Sequence, residues 1–246
     1  MLRRLSFYIL LISLGNCTST HQLATTVTPL DQALMQLPSQ PGMYNLSVPA
    51  ARDGSMNFSV QLPDTSLAKR FPLVIGLHWA GGGDVYQEFS NCLIAPAFAD
   101  YPMIGIYPDA EFQTWTTPGN ERKVMSLIEA AKRQLPVDPE RIIVVGYSNG
   151  GNGSWYFAER YPNEIFAALP MASSYRPQQK IEVPLYVIHG AEDELFPLNR
   201  TQGYVKTAQD QGTSVVFNVA DNYSHYMACQ YVDQLKEGVA WLRTLE

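Results

Sequence analysis

From Leu73 onward the chain alternates short, nearly continuous apolar runs with longer segments of mixed polarity. Leu73 to Trp79, Met103 to Tyr107, Ile142 to Tyr147, Phe166 to Met171, Leu185 to Ile188 and Val215 to Val219 are the apolar runs. Strands covered by helices on both faces need this texture, because no face is left for polar residues. Between them Val85 to Ala99, Glu121 to Leu135, Asn149 to Arg160, Arg200 to Gln211 and Cys229 to Leu245 read as helices, with Asp138-Pro139-Glu140 and Tyr161-Pro162 as boundary marks. Two earlier segments, Met43 to Val48 and Met56 to Leu62, alternate roughly around Arg52-Asp53-Gly54-Ser55, the pattern of an antiparallel hairpin. Together they predict an α/β fold: a doubly wound, mostly parallel sheet with an antiparallel N-terminal hairpin and helices on both faces. Chemistry in such sheets gathers in loops past the carboxyl ends of the strands.

The first residues follow a different pattern. Met1-Leu2-Arg3-Arg4 precedes an apolar run from Leu5 to Leu14, the layout of a secretory signal over residues 1–16. Ten residues rise only about 15 Å as a helix, against a ~30 Å hydrocarbon core, so this is no permanent span. Leu14-Gly15-Asn16-Cys17 resembles the lipobox of bacterial lipoproteins, which implies an acylated Cys17; an ordinary signal with an incidental cysteine is the alternative. Residues 17–42, Thr-rich with Pro29, Pro38 and Pro41, read as a flexible tether in which Leu30 to Leu37 can make one helical turn or two, leaving 43–246 as one domain. The expected location is exported, periplasmic or at the cell surface, with membrane contact only through the lipid.

Charge and composition narrow the partners. The 246 residues carry 17 basic and 23 acidic side chains, a net charge of −6, and no basic stripe, which disfavours nucleic acid. Three cysteines are too few for a disulfide scaffold, and no Cys/His spacing fits zinc, so no metal is expected. Neither a dinucleotide fingerprint nor a Gly-Lys-Ser/Thr phosphate loop is present, so no cofactor is expected.

Ile142-Ile143-Val144-Val145 runs straight into Gly146-Tyr147-Ser148-Asn149-Gly150, and a helix follows at once. A serine there sits on a tight, strained turn, and the flanking glycines remove Cβ atoms that would clash as strand and helix close up. The next peptide N–H falls at a helix N-terminus, whose partial positive charge favours an oxyanion. A serine hydroxyl becomes a nucleophile only beside a base that a third group orients. In this architecture the order is nucleophile, acid, histidine. Of the four histidines, His21 lies in the tether, His78 precedes the serine, and His189 ends a strand with only Glu159, Glu164 and Glu182 before it. His225, in a loop after a strand, is left as the base. The acid is expected at Asp193 in His189-Gly190-Ala191-Glu192-Asp193-Glu194; Asp221, on the histidine's own loop, is the competitor. Gly81-Gly82-Gly83 after His78-Trp79-Ala80 allows backbone N–H groups to converge as an oxyanion hole requires, a hinge being the alternative.

Leu77-His78-Trp79-Ala80-Gly81-Gly82-Gly83, Gly146 to Trp155, His189-Gly190-x-x-Asp193-x-x-x-Pro197 and Ser224-His225 together resemble the α/β-hydrolase superfamily. More narrowly the chain resembles small bacterial serine esterases of the dienelactone hydrolase, phospholipase/carboxylesterase and polyhydroxybutyrate-depolymerase-like groups. The resemblance implies Ser148 as nucleophile, Asp193 as acid, His225 as base, and oxyanion donors from the backbone N–H groups of Asn149 and Ala80. Trp79 stands where glycine commonly follows the histidine, which leaves Trp79 as an alternative donor. Dienelactone hydrolases proper use cysteine as nucleophile; serine argues for plain ester chemistry. Trp115 and Tyr147 are candidates for the substrate pocket. Cys92 and Cys229 adjoin active-site loops and form a disulfide or remain two separate thiols. No long insertion follows Met171, so an open site is expected. The function this implies is hydrolysis of small or exposed carboxylic esters through an acyl-enzyme, with a small-molecule ester as partner. A serine peptidase or thioesterase on the same triad, or a non-catalytic surface-binding lipoprotein, are the competing readings.

Overall fold

A computed structural model describes residues 27–50 and 54–245; the leader, Cys17 and the tip of the hairpin lie outside the described residues. β1 (Gly42–Ala50) and β2 (Gly54–Leu62) pair antiparallel, and β2 pairs antiparallel with β4 (Ile104–Pro108). β3 (Phe71–Leu77), β4, β5 (Val137–Tyr147), β6 (Ala167–Met171), β7 (Leu185–Gly190) and β8 (Val215–Ala220) run parallel. The sheet order is β1-β2-β4-β3-β5-β6-β7-β8.

The continuous apolar runs divide by residue parity between two cores. Leu73, Ile75 and Leu77 of β3 and Ile142 and Val144 of β5 enter one cluster, shared with α1 (Pro29–Met35), α4 (Pro118–Gln134), α5 (Asn149–Arg160) and α6 (Leu198–Asp210). Val74, Ile143, Val145 and Tyr147 enter the other, shared with α2 (Val85–Phe89), α3 (Ala95–Ala97) and α7 (Val232–Leu242). This is the alternation of a pleated strand with apolar partners on both sides.

β4 lies on one side of β3 and β5 on the other, so the winding reverses at β3. Right-handed crossovers in opposite directions place the intervening helices on opposite faces, and the diverging loops open a crevice at the strand ends. Leu77 pairs with Gly146 there, so the chain leaving β3 begins beside the chain leaving β5.

Three expectations are corrected. The tether was expected to extend to residue 42, but Thr28 caps a helix in a reciprocal capping box with Asp31, with Pro29 in the first turn. Leu30 and Leu34 are buried, each worth about 1.5–3 kcal/mol, and Asp31 accepts from Arg133 Nη2 at 2.9 Å and Gln134 Nε2 at 3.1 Å on α4. The domain therefore includes this helix. Asp138-Pro139-Glu140 lies inside β5 rather than at its edge. The register shifts between Phe71, opposite Val137, and Leu73, opposite Ile142, so Pro139 falls in an irregular stretch where its missing N–H is tolerated. The helix expected over 85–99 contains a π segment, Ser90–Ile94, between α2 and α3. Pro96 in α3 has no N–H for a regular bond to the preceding turn, and the ladder widens just ahead of it.

Candidate active site

Ser148 stands between the last residue of β5 and the first of α5, at φ 56° and ψ −115°. A Cβ on Gly146 would lie 2.1 Å from Gly150 O, and one on Gly150 would lie 1.7 Å from Leu77 O. Only glycine permits β5, α5 and the end of β3 to approach so closely. The hydroxyl emerges into a cleft of about 420 Å³ whose lining includes Trp79, Ala80, Tyr147, Ser148, His225 and Met227.

Three loops bring their side chains to this point. His225 Nε2 lies 2.8 Å from Ser148 Oγ, and Nδ1 lies 2.9 Å from Asp193 Oδ2. The other carboxylate oxygen of Asp193 accepts from Leu195 N at 3.0 Å and Phe196 N at 2.7 Å, which fixes the plane of the group. Burial opposes ionisation of Asp193, but the His225 hydrogen bond, the Phe196 N–H and the two neighbouring imidazoles outweigh it and hold the carboxyl below its ordinary range. Ser148, Asp193 and His225 thus form one hydrogen-bonded line. Asp221, the competing acid, is exposed.

Several residues outside that line position it. Tyr147 OH donates to His225 O at 2.8 Å, and Glu194 Oε2 accepts from His225 N at 3.0 Å. No local signal in the sequence marks Glu194 as a carboxylate that reaches the backbone of a residue so distant in the chain. His189 is buried and lies 2.7 Å from Phe196 O, so Nε2 carries the proton and braces the Asp193 turn. Burial pushes His189 down and keeps the ring neutral. Cys92 and Cys229 form a disulfide that ties the cleft-lining loop after His225 to the π segment.

The loop after β3, the candidate oxyanion side, is set by His78. Ala110 N donates to His78 Nε2 at 3.0 Å, so the proton sits on Nδ1, which lies 2.5 Å from Trp79 O. Burial pushes this histidine down, holding the ring neutral in that tautomer. A trans peptide points its C=O and N–H in opposite directions. With the Trp79 carbonyl tied to His78, the Ala80 N–H faces away from that ring, and Ala80 lines the cleft. The Asn149 N–H, in the first turn of α5, lacks an intrahelical acceptor. Trp79 contributes its indole, packed edge-on against Phe89 and Tyr147 at 5.8 and 6.2 Å between ring centres.

Trp115 is not in the pocket. It is fully buried, donates Nε1–H to His78 O at 2.9 Å, and fills the space that Gly153 leaves open on α5. An indole with a carbonyl partner and a glycine-sized hollow is held inward even from a loop. Tyr147 does line the cleft. Among the described residues, no three His, Cys, Asp or Glu side chains gather as a metal would require, and no helix is long and apolar enough to cross a membrane.

A nucleophile elbow on the central parallel strand of a doubly wound sheet, with acid and histidine from later loops, defines the α/β-hydrolase class. The sequence profile of the dienelactone hydrolase family matches residues 107–245, more than half of the chain, and the chain belongs to that family. A bifunctional acetylxylan esterase/xylanase of Neocallimastix patriciarum is 24% identical over 154 residues, covering 60% of this chain and 23% of the relative. An uncharacterized secreted protein of Arthroderma benhamiae is 23% identical over 234 residues, covering 75% of this chain and 25% of the relative. The chain thus spans about a quarter of the length of these curated relatives. A solved thermostable esterase shares the fold with a TM-score of 0.70 at 20% identity, over 82% of this chain and 62% of that one.

Proposed function

We propose that this protein is a serine-dependent hydrolase of carboxylic esters that works through an acyl-enzyme. The observation that carries the reading is the unbroken line from Asp193 through His225 to Ser148, with spacings of 2.9 and 2.8 Å. Ser148 Oγ attacks the ester carbonyl while His225 Nε2 takes its proton, and the Asp193 carboxylate steadies the imidazolium that forms. The carbonyl oxygen becomes an oxyanion held by the N–H groups of Ala80 and Asn149, each worth about 3–4 kcal/mol. His225 returns the proton to the alcohol oxygen as the C–O bond breaks, leaving an acyl-serine. Water, deprotonated by the same imidazole, then releases the acid and restores Ser148.

Thirteen residues, 172–184, separate β6 from β7, and they form no covering helix. The open mouth favours small esters or esters exposed on larger molecules. A relative named for acetylxylan esterase activity supports that substrate range. The secreted relative and the basic-apolar leader support export, with a signal over residues 1–16 and a lipid on Cys17.

The test is a panel of p-nitrophenyl esters, aminoacyl anilides and acyl thioesters, with Ser148→Ala as control. Turnover of the esters, lost in the variant, is expected; preference for anilides or thioesters would move the assignment to a peptidase or thioesterase.

A further inference from the structure

Past the end of β4 the chain does something unexpected for its residues. Glu111 and Phe112, neither of them glycine, lie consecutively at φ 54° and 60°. Such positions persist only where the surroundings over-determine them. Glu111 N donates to Asp109 Oδ1, Lys123 Nζ donates to both Asp109 O and Glu111 Oε1, and Asn120 Nδ2 bridges Ala110 O and Thr114 O. The braced loop displays Phe112 at 83% exposure, among the most exposed large apolar side chains described.

The ring stands outside the lining of the cleft, against the loop that follows β3. It leans on Gly82 of the oxyanion loop, where a Cβ would stand 2.6 Å from the ring. The adjoining Gln113 carbonyl accepts from Asn149 Nδ2 at 3.1 Å, next to Ser148. Glu111, paired with Lys123, precedes the ring in the chain, and Gln113 and Thr114, both exposed, follow it. Across the site, on loops after β7 and β8, stand Leu195 at 50% and Tyr226 at 74% exposure. Sheet order puts β4 on one side of β5 and β7 and β8 on the other, so the nucleophile lies between two exposed apolar flanks.

We propose that Phe112 is the platform of a sugar subsite, stacking on a pyranose ring of an O-acylated polysaccharide whose ester reaches Ser148. The proposal rests on the ester-hydrolase reading and adds its substrate class. A flat, exposed apolar face matches a pyranose, which presents C–H groups on its face and hydroxyls on its rim. Flanks on both sides of Ser148 suit an extended chain.

The experiment compares kcat/KM for acetylated xylan and for p-nitrophenyl acetate in wild type, Phe112→Ala and Phe112→Trp. A sugar face covering roughly 50 Å² of ring makes the xylan-to-small-ester ratio fall about tenfold in Phe112→Ala. Phe112→Trp restores the ratio. An unchanged ratio in Phe112→Ala overturns the subsite, as does a wild type that cleaves p-nitrophenyl acetate but no acetylated xylan. A wild type that cleaves neither overturns the ester-hydrolase reading itself.

Discussion

The strain at the nucleophile can be isolated by comparing two inactive variants. Ser148 is a non-glycine residue at φ 56° and ψ −115°, a conformation that costs on the order of 1–3 kcal/mol. Ser148→Ala keeps the Cβ and therefore the strain; Ser148→Gly removes both. Each variant loses the same 2.8 Å contact to His225, so that loss cancels between them. Glycine's greater freedom in the unfolded chain offsets about 0.5–1 kcal/mol of the relief. Ser148→Gly should then be more stable than Ser148→Ala by about 1 kcal/mol, a Tm difference of roughly 2–4 °C for a domain of this size. Calorimetric unfolding of the two variants under identical conditions, supported by urea titration, measures the gap, and neither variant should turn over ester. Equal stability, or a less stable glycine variant, would refute the strained-elbow reasoning.

Two further outcomes test parts of the fold that the site depends on. Asp31 is held well below the usual carboxylate range, first by the Thr28 hydroxyl, against the opposing effect of burial, with Thr28 N–H, Arg133 and Gln134 adding to it. A lowered folded pKa gives stability that is present above the unfolded value of about 3.9 and is lost as pH falls through the folded one. Asp31→Asn should therefore lower Tm at pH 7, with the gap to wild type closing as pH drops below 4; a gap independent of pH would detach α1 from α4. Replacing Cys92 and Cys229 together by serine removes a cross-link between residues 137 apart and should cost about 2–4 kcal/mol in urea unfolding, with a fall in kcat because the freed loop carries His225. Wild-type stability in that double variant would show that the disulfide restrains nothing.

The legible parts of this molecule were those where a local rule has few solutions. Gly146-x-Ser148-x-Gly150 after an apolar strand admits little but an elbow, because a Cβ at either glycine meets backbone. His225 and Asp193 followed from chain order and strand ends, and the structure brings both to Ser148. What stayed hidden depends on contacts between distant segments. Trp115 looked like a pocket residue because its loop follows a strand, yet Gly153 and the His78 carbonyl draw it inward. A helical turn or two over Leu30 to Leu37 was legible, but its docking on the domain was not, since that rests on contacts with α4. The preference for Ala80 over Trp79 as the proposed donor rests on one peptide plane, which His78 and Ala110 set from opposite sides. Glu111 and Phe112 carry no glycine or asparagine to announce left-handed backbone.

The convergence of Ser148, Asp193 and His225 is tested most directly by treating the full chain with a fluorophosphonate probe and mapping the adduct by peptide mass. Labelling on Ser148 alone is expected, with the rate falling by orders of magnitude in His225→Ala. An unlabelled protein, an adduct on a different serine, or labelling of Ser148 that proceeds undiminished without His225 would contradict it.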